Sequence, residues 1–424
     1  MKIGLDIPEF SPARNSGIER YTRNLLCALH RNAGPHELSL YLCRPPGWAE
    51  KDTLPSLAQL LPGVPVHVLF DGLVPHFPGE LNTARRLRLS GALAPVDGVL
   101  RRLYRRFNRS TAPWVSPLRR ACAEARAVEA PDVLHHLVYV HYPFRRGPSL
   151  ATIYDLVPLL FPQWLPEEVR AALRPTFRFA RRCAAVIAIS ENTRQDLHRR
   201  MRVPLDRIHV VPLAADEVFA PAPDPARVRE RLAPLGLADR PFLLYAGTLE
   251  PRKNVPGLIR AYARLRSQSP ESAPLLVLAG TKGWGYEPIF QEIERLGLAN
   301  EARHLDAPDD AALAALMNAA LALVYPSFYE GFGLPPLEAM ACGCPVITSN
   351  NSSLPEVVGD AAIQVDPRDE PALAQAMQAV ITRPELRASL RERGLARARL
   401  FSWDRVARET LNVYARVAPS GRHS

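Results

Sequence analysis

Between Pro241 and Ser349 the chain alternates between two kinds of apolar segment. PFLLYAG, PLLVLAG, LALVYPS and PVITS are short, continuous apolar runs of strand length. VPGLIRAYARL, YEPIFQEIERLG, AALAALMNAA and PPLEAMACG are longer and read as helices. Strands that are apolar throughout and separated by helices are buried on both faces and run parallel, since parallel neighbours need a crossover rather than a tight turn. This stretch predicts a doubly wound α/β domain.

The first half repeats the theme less regularly. KIGLDI reads as a buried strand, followed by a loop, EFSPARNSG. IERYTRNLLCALHR then spaces Ile18, Tyr21, Leu25 and Leu29 for one helical face. LATIYD, AAVIAIS and RIHVVP are further short strands. A chain of 424 residues exceeds what one core usually serves, so two domains are expected. The Pro/Ala-rich run FAPAPDPARV reads as the linker, giving domains over 1–222 and 223–400. The remainder, 401–424, contains SWDRVARETLNVYARV, a helix behind a Ser402 cap that is expected to pack back on the N-terminal domain.

The formal charge of +10 admits nucleic acid, anionic lipid or anionic small molecules as partners. Much of the excess falls in one place. From Arg85 to Arg126 there are eleven arginines against two acids, inside a basic insertion over about 45–130. There VLRRLYRRFNR sets Val99, Leu100, Leu103 and Phe107 on one face, as in a membrane-surface helix. An ordinary surface helix would read the same way. No nucleic-acid motif accompanies the charge, so nucleic acid is not expected as a partner. The six cysteines form no C-x-x-C pair, which reads as a reduced, intracellular protein. The N-terminus lacks the long apolar region of a signal peptide. A cytoplasmic location, peripheral to the membrane, is the expectation.

Chemistry concentrates in two strand-to-helix loops, and such loops line the ligand crevice of open parallel sheets. EGFGLPPLE, after LALVYPS, carries Glu330 and Glu338 seven residues apart in intervening sequence. Gly331 and Gly333 allow backbone to approach a ligand, while Pro335 and Pro336 suit a helix start. Paired carboxylates accept hydrogen bonds from the vicinal hydroxyls of a sugar or a ribose. GTLEPRKN, after PFLLYA, places Arg252 and Lys253 ahead of a helix, with Asn254 as its cap. Cations are disfavoured at a helix N-terminus, so a bound anion such as phosphate is expected there. Gly17, at the first helix, is a weaker candidate for close backbone approach. G-x-G-x-x-G after the first strand, G-x-x-x-x-G-K-[ST] and D-x-D are all absent from the sequence, which argues against a dinucleotide oxidoreductase, a P-loop NTPase and a metal-held diphosphate. His135, His136 and His141 read as core or crevice histidines rather than metal ligands.

EGFGLPPLEAMACGCPVITSN together with AGTLEPRKN resembles the donor-binding half of the family 4 GT-B glycosyltransferases. SSLPEVVGDAAIQVDP, AISENTRQDL, VVPLAADEVF and GIERYTRNLL extend the resemblance to nearly the whole chain outside the basic insertion. It implies two Rossmann-like doubly wound domains facing a cleft. It also implies retaining transfer of a sugar from a nucleotide-diphosphate donor, with no cofactor and no metal. Glu330 would contact the sugar hydroxyls, with Gly331, Phe332, Gly333 and Leu334 lining sugar and diphosphate. Glu338 would hold the ribose, Arg252 and Lys253 would clamp the diphosphate, and Gly17 would face them from the other domain. Glu330, Arg252, Lys253 and Asp155 are thereby the catalytic candidates. Tyr154 and Ser190 are candidates for the sugar's reactive face.

Two positions depart from many relatives. Thr248, a further donor-binding candidate by the resemblance, stands where an arginine is common, and Tyr154 where histidine is common. The SFYEGFGLPPLEA and GTLEPRKN forms are similar to bacterial mannosyltransferases of lipopolysaccharide and exopolysaccharide assembly, which favours GDP-mannose as donor, with UDP- and dTDP-sugars close behind. The acceptor is expected to be a glycan or lipid-linked glycan. The alternatives are a nucleotide-sugar epimerase on the same scaffold and a non-catalytic partner subunit that binds donor or glycan.

Overall fold

The computed structural model of the chain describes residues 1–7, 17–43, 59–69, 131–138, 147–268 and 273–418. The membrane-surface expectation for Arg85–Arg126 and the reading of His141 lie outside the described residues.

Two parallel sheets form the frame. In the N-terminal lobe the strands are β1 (Lys2–Asp6), β2 (Glu37–Cys43), β3 (Val66–Leu69), β4 (Val133–His136), β5 (Ser149–Ile153), β6 (Ala185–Ala188) and β7 (Ile208–Val210). Their spatial order is β3-β2-β1-β4-β5-β6-β7. In the C-terminal lobe β8 (Phe242–Ala246), β9 (Leu275–Ala279), β10 (Ala302–Leu305), β11 (Ala322–Tyr325), β12 (Val346–Ser349) and β13 (Ile363–Val365) follow the order β10-β9-β8-β11-β12-β13. Both orders reverse direction once, between β1 and β4 and between β8 and β11. Strands β8, β9 and β11 are buried along their whole length, as their unbroken apolar sequences require. All four strands expected in the second half form.

The helices that position the site are α1 (Gly17–Asn32), α2 (Glu191–Met201), α3 (Val255–Gln268), α4 (Asp310–Ala319), α5 (Leu334–Cys342), α6 (Leu354–Val358) and α7 (Trp403–Val417). The expected linker is only partly a linker. Phe219 is buried in the core, and a helix runs over Pro225–Leu232. Pro225 takes the first turn, where no N–H is needed, and Asp224 caps it by accepting the Ala226 N–H.

The C-terminal helix α7 leaves its own lobe and lies on α1 of the first. Ser402 caps it by accepting the Arg405 N–H. Trp403 donates from its indole to the Ala215 carbonyl at 3.0 Å and packs on Tyr21. Tyr414 meets His135 Nδ1 at 2.7 Å, and His135 Nε2 meets Thr152 at 2.8 Å. Burial drives the His135 imidazole down to about 3, so it sits in this network as a neutral ring. His136, on the other face of β4, pairs through Nδ1 with Asp6 at 2.5 Å and is buried beneath Phe179.

Candidate active site

The reversal of strand order between β8 and β11 opens a crevice at their carboxyl ends, because the helices that follow depart to opposite faces of the sheet. The two chemistry-bearing loops, Gly247–Asn254 and Pro326–Gly333, are the segments that leave those two strands. They meet at Glu330. Arg252 Nη1 donates to its carboxylate at 2.7 Å and to the Tyr329 carbonyl at 2.8 Å, while Nη2 donates to Glu250 at 2.6 Å. Lys253 Nζ donates to Glu330 at 2.7 Å and to the Tyr325 hydroxyl at 2.5 Å, and that hydroxyl donates to Glu330 at 2.9 Å.

Glu330 is 6% exposed and Lys253 8%. Burial alone would raise the Glu330 carboxyl; Arg252 and Lys253 outweigh it and hold it at about 2. The same burial, with Arg252 beside it, lowers the Lys253 ammonium against the pull of Glu330. The two cations therefore stand differently from the expectation of free charges awaiting an anion. Two carboxylates, Glu330 and Glu250, already face them. The second of these was not singled out in the sequence, where it reads as one more acid in TLEPRKN. Asn254 stands at the start of α3, but at φ +54 it also closes the one-turn helix Pro251–Lys253, and its amide donates to the Pro367 carbonyl at 2.7 Å.

Gly331 shows why this loop has no side chain at that point. A Cβ there would lie 2.1 Å from the Tyr154 carbonyl oxygen and 2.9 Å from the Asp155 Cβ, so the two lobes touch backbone to backbone. Gly333 precedes α5 at φ +122, a conformation that side chains rarely adopt. Phe332 is buried against Phe401, and its carbonyl accepts from Ser353 at 2.5 Å. Leu334, Pro335 and Pro336 form the first turn of α5.

Glu338 is the fifth residue of α5, past the turn where a carboxylate complements the helix dipole. It is 2% exposed. Oε1 pairs with Arg20 Nη1 at 3.0 Å, whereas Oε2 is buried with no hydrogen-bond partner among the described residues. Burial pushes this carboxyl up to about 7; Arg20 opposes the shift and Asp310 and Asp216 add to it. A buried acceptor without a partner is costly. Arg20, from the opposite lobe, was legible only as one polar position of the first helix.

The N-terminal lobe closes the other side. Asp155 follows β5 beside Gly331, and its carboxylate accepts the Val157 N–H at 3.0 Å. Desolvation raises its pKa, with Arg252 pulling the other way. The Tyr154 hydroxyl donates to the Leu137 carbonyl at 2.5 Å, and its ring meets Tyr21 edge-on. Ser190 caps α2 by accepting the Thr193 N–H at 3.0 Å. The Thr193 hydroxyl lies 3.2 Å from the Tyr154 carbonyl and 3.4 Å from that of Gly331. Gly17 opens α1. Thr248 is exposed, and its carbonyl accepts from the Tyr245 hydroxyl at 3.0 Å. Among the described residues no helix is long and apolar enough to cross a membrane.

Comparison with known proteins agrees with this architecture. The family profile described as "Glycosyl transferases group 1" matches residues 229–397, and "Glycosyltransferase Family 4" matches residues 15–219. The chain is 36% identical to O-antigen chain mannosyltransferase B of Escherichia coli over 67% of its own length and 74% of that protein. It is 34% identical to the MMP alpha-(1->4)-mannosyltransferase of Mycolicibacterium hassiacum over 57% of each. Against the serotype-specific mannosyltransferase WbdA of Escherichia coli it aligns over its whole length at 27% identity but spans only 49% of that protein. Among solved structures, Anabaena HepE in complex with UDP and glucose superposes with a TM-score of 0.67 at 19% identity, covering 98% of this chain and 99% of that one. WaaG, a glycosyltransferase involved in lipopolysaccharide biosynthesis, gives 0.65 at 16% identity, over 99% and 100%. These two likenesses speak to the fold.

Proposed function

This chain belongs to the glycosyltransferases of group 1 and family 4, and from that premise we propose that it moves mannose from GDP-mannose to a glycan or lipid-linked glycan in the assembly of a cell-surface polysaccharide. The observation that carries the reading is the convergence at the β8/β11 crevice: an ionised, buried Glu330 held by Arg252 and Lys253, beside Glu338 with one oxygen free. The choice of mannose is supported by the three relatives named above, all of which bear that sugar in their names. The reaction proceeds with retention at the anomeric carbon.

Glu330 accepts hydrogen bonds from the hexose hydroxyls. An ionised acceptor at about 2 stays charged at every working pH, which suits the task. Glu338 accepts from the ribose diol. The diphosphate cannot rely on the full charge of Arg252 and Lys253, since Glu250 and Glu330 offset it. Backbone N–H groups at the start of α5 share that work, helped by the helix dipole; Pro335 and Pro336 bring none, which leaves the Gly331–Leu334 turn. The departing phosphate oxygen takes the acceptor's proton, so the protein's part is positioning, charge stabilisation and exclusion of water. No divalent cation is required, and activity is expected to survive a chelator such as EDTA. The protein works at the cytoplasmic face, attached peripherally.

A panel of nucleotide sugars tests the reading. Purified protein is incubated with GDP-mannose, UDP-glucose and dTDP-sugars, and melting temperature and sugar release to acceptor glycans are followed. Stabilisation by GDP-mannose with transfer in the α configuration is the expected result. Stabilisation by UDP-sugars alone would transfer the assignment to another hexose, and stabilisation by none would remove it.

A further inference from the structure

Helix α1 presents Arg20, Arg23 and Asn24 to the C-terminal lobe at helical spacing. Facing them are three acids from three separate elements: Glu338 on α5, Asp310 on α4, and Asp216 on the segment that joins the lobes. Arg23 and Asn24 both donate to Asp216, at 3.0 and 2.8 Å. Arg20 Nη1 is divided between Glu338 Oε1 at 3.0 Å and Asp310 Oδ1 at 3.3 Å, with its guanidinium over the Phe219 ring.

This arrangement is asymmetric. Arg20 takes one oxygen of Glu338 and leaves the other buried, with no hydrogen-bond partner among the described residues. Removing a carboxylate from water without completing its hydrogen bonds costs stability, so the open oxygen marks a position meant to be filled by a donor. We propose that Arg20 is a positioning residue for donor binding: reaching across from the N-terminal lobe, it holds Glu338 in the orientation that leaves Oε2 to accept a ribose hydroxyl. The inference rests on the reading of Glu338 as the ribose acceptor. It makes nucleotide affinity depend on a residue of the lobe that does not hold the nucleotide.

The charged groups around Glu338 set the sign of its pH dependence. Arg20 favours the carboxylate; Asp310 and Asp216 oppose it. Arg23 pairs with Asp216 at 3.0 Å and reaches Asp310 at 3.9 Å, Cys342 lies along α5, and Arg391 donates to the Gly343 carbonyl at the far end of that helix. Removing Arg20 therefore favours protonated Glu338 to higher pH, and removing Asp310 does the reverse.

The test is calorimetric titration of the full chain with GDP, UDP and their 2′-deoxy analogues between pH 5.5 and 8.5, for wild type, Arg20→Met, Arg20→Lys and Asp310→Asn. Expected for wild type is a preference for the ribonucleotide of about tenfold or more, the worth of one lost charge-assisted hydrogen bond. In Arg20→Met that preference should shrink to under threefold at pH 7, with the midpoint of its pH dependence moved upward. Arg20→Lys should restore part of it, and Asp310→Asn should move the midpoint downward. If Arg20→Met keeps the wild-type preference and midpoint, or weakens ribo- and deoxynucleotide equally, Arg20 has no such role. If wild type itself does not distinguish the two nucleotides, or binds neither, the assignment of Glu338 to the ribose fails instead, and this proposal with it.

Discussion

Glu356 accepts the backbone N–H of Asn192 at 3.0 Å across the boundary between the lobes. Its second oxygen accepts the neighbouring Glu191 N–H at 2.8 Å. A residue of the C-terminal lobe thus supplies hydrogen-bond acceptors for the start of α2 in the N-terminal lobe, beside the cap that Ser190 provides. The Asn192 amide also donates to the Tyr329 hydroxyl at 3.1 Å, and that hydroxyl donates to Asp196 at 2.5 Å. Trp164 stacks on Phe328 in the same seam. Phe328 and Tyr329 thus tie the loop that carries Glu330 to the opposite lobe, and Glu356 on α6 holds the start of α2 beside them.

Breaking this clip should loosen closure without emptying the donor site. Glu356→Ala is expected to lower kcat several-fold, leave nucleotide affinity within about twofold and raise donor hydrolysis relative to transfer, because water enters an unclosed cleft. Parallel measurement of free sugar and glycosylated acceptor decides it; an unchanged ratio of hydrolysis to transfer would count against the clip.

Glu330→Gln removes the charge that balances Arg252 and Lys253 while keeping its shape. Arg252 keeps Glu250, but Lys253 loses the carboxylate it pairs with, and breaking a buried pair in this way costs about 3–5 kcal/mol. A lowered melting temperature together with loss of transfer by two or more orders of magnitude is expected. Retained nucleoside diphosphate binding in the same variant would separate the sugar contact from the diphosphate contact.

Gly331→Ala tests the backbone contact between lobes. The new methyl would collide with the Tyr154 carbonyl, and backbone cannot rotate away as a side chain can. Overpacking of this kind costs about 1–3 kcal/mol. Here it should appear as a more open particle in small-angle scattering and as lost transfer, with the C-terminal lobe still able to bind nucleotide.

Glu338 and Glu330 predict opposite pH trends. Glu338 stands at about 7 against an ordinary 4.5, so its folded form holds the proton more tightly; the stability this contributes is full below pH 4.5 and is lost as pH rises through 7. Glu330, at about 2, contributes stability that is full above 4.5 and lost as pH falls toward 2. Glu338→Gln mimics the protonated form. Between pH 5 and 8 its stability should improve relative to wild type by up to about 3 kcal/mol, read from urea melts at each pH. A constant difference would show that Glu338 does not titrate in this window.

The alternation of apolar runs settled the parallel sheets, and with them the crevice at the end of β11, because burial on both faces leaves a strand no polar positions and periodicity alone reports that. The loops carrying Glu330, Arg252 and Lys253 were legible for the same reason: glycines and prolines at a strand-to-helix junction serve backbone needs that are local. What local sequence could not carry was partnership. That Arg252 lies between Glu250 and Glu330, and that Arg20 reaches Glu338 over more than three hundred residues, are long-range facts. They follow from how two sheets reverse and face each other, and electrostatic energy depends on those distances through space rather than on spacing along the chain.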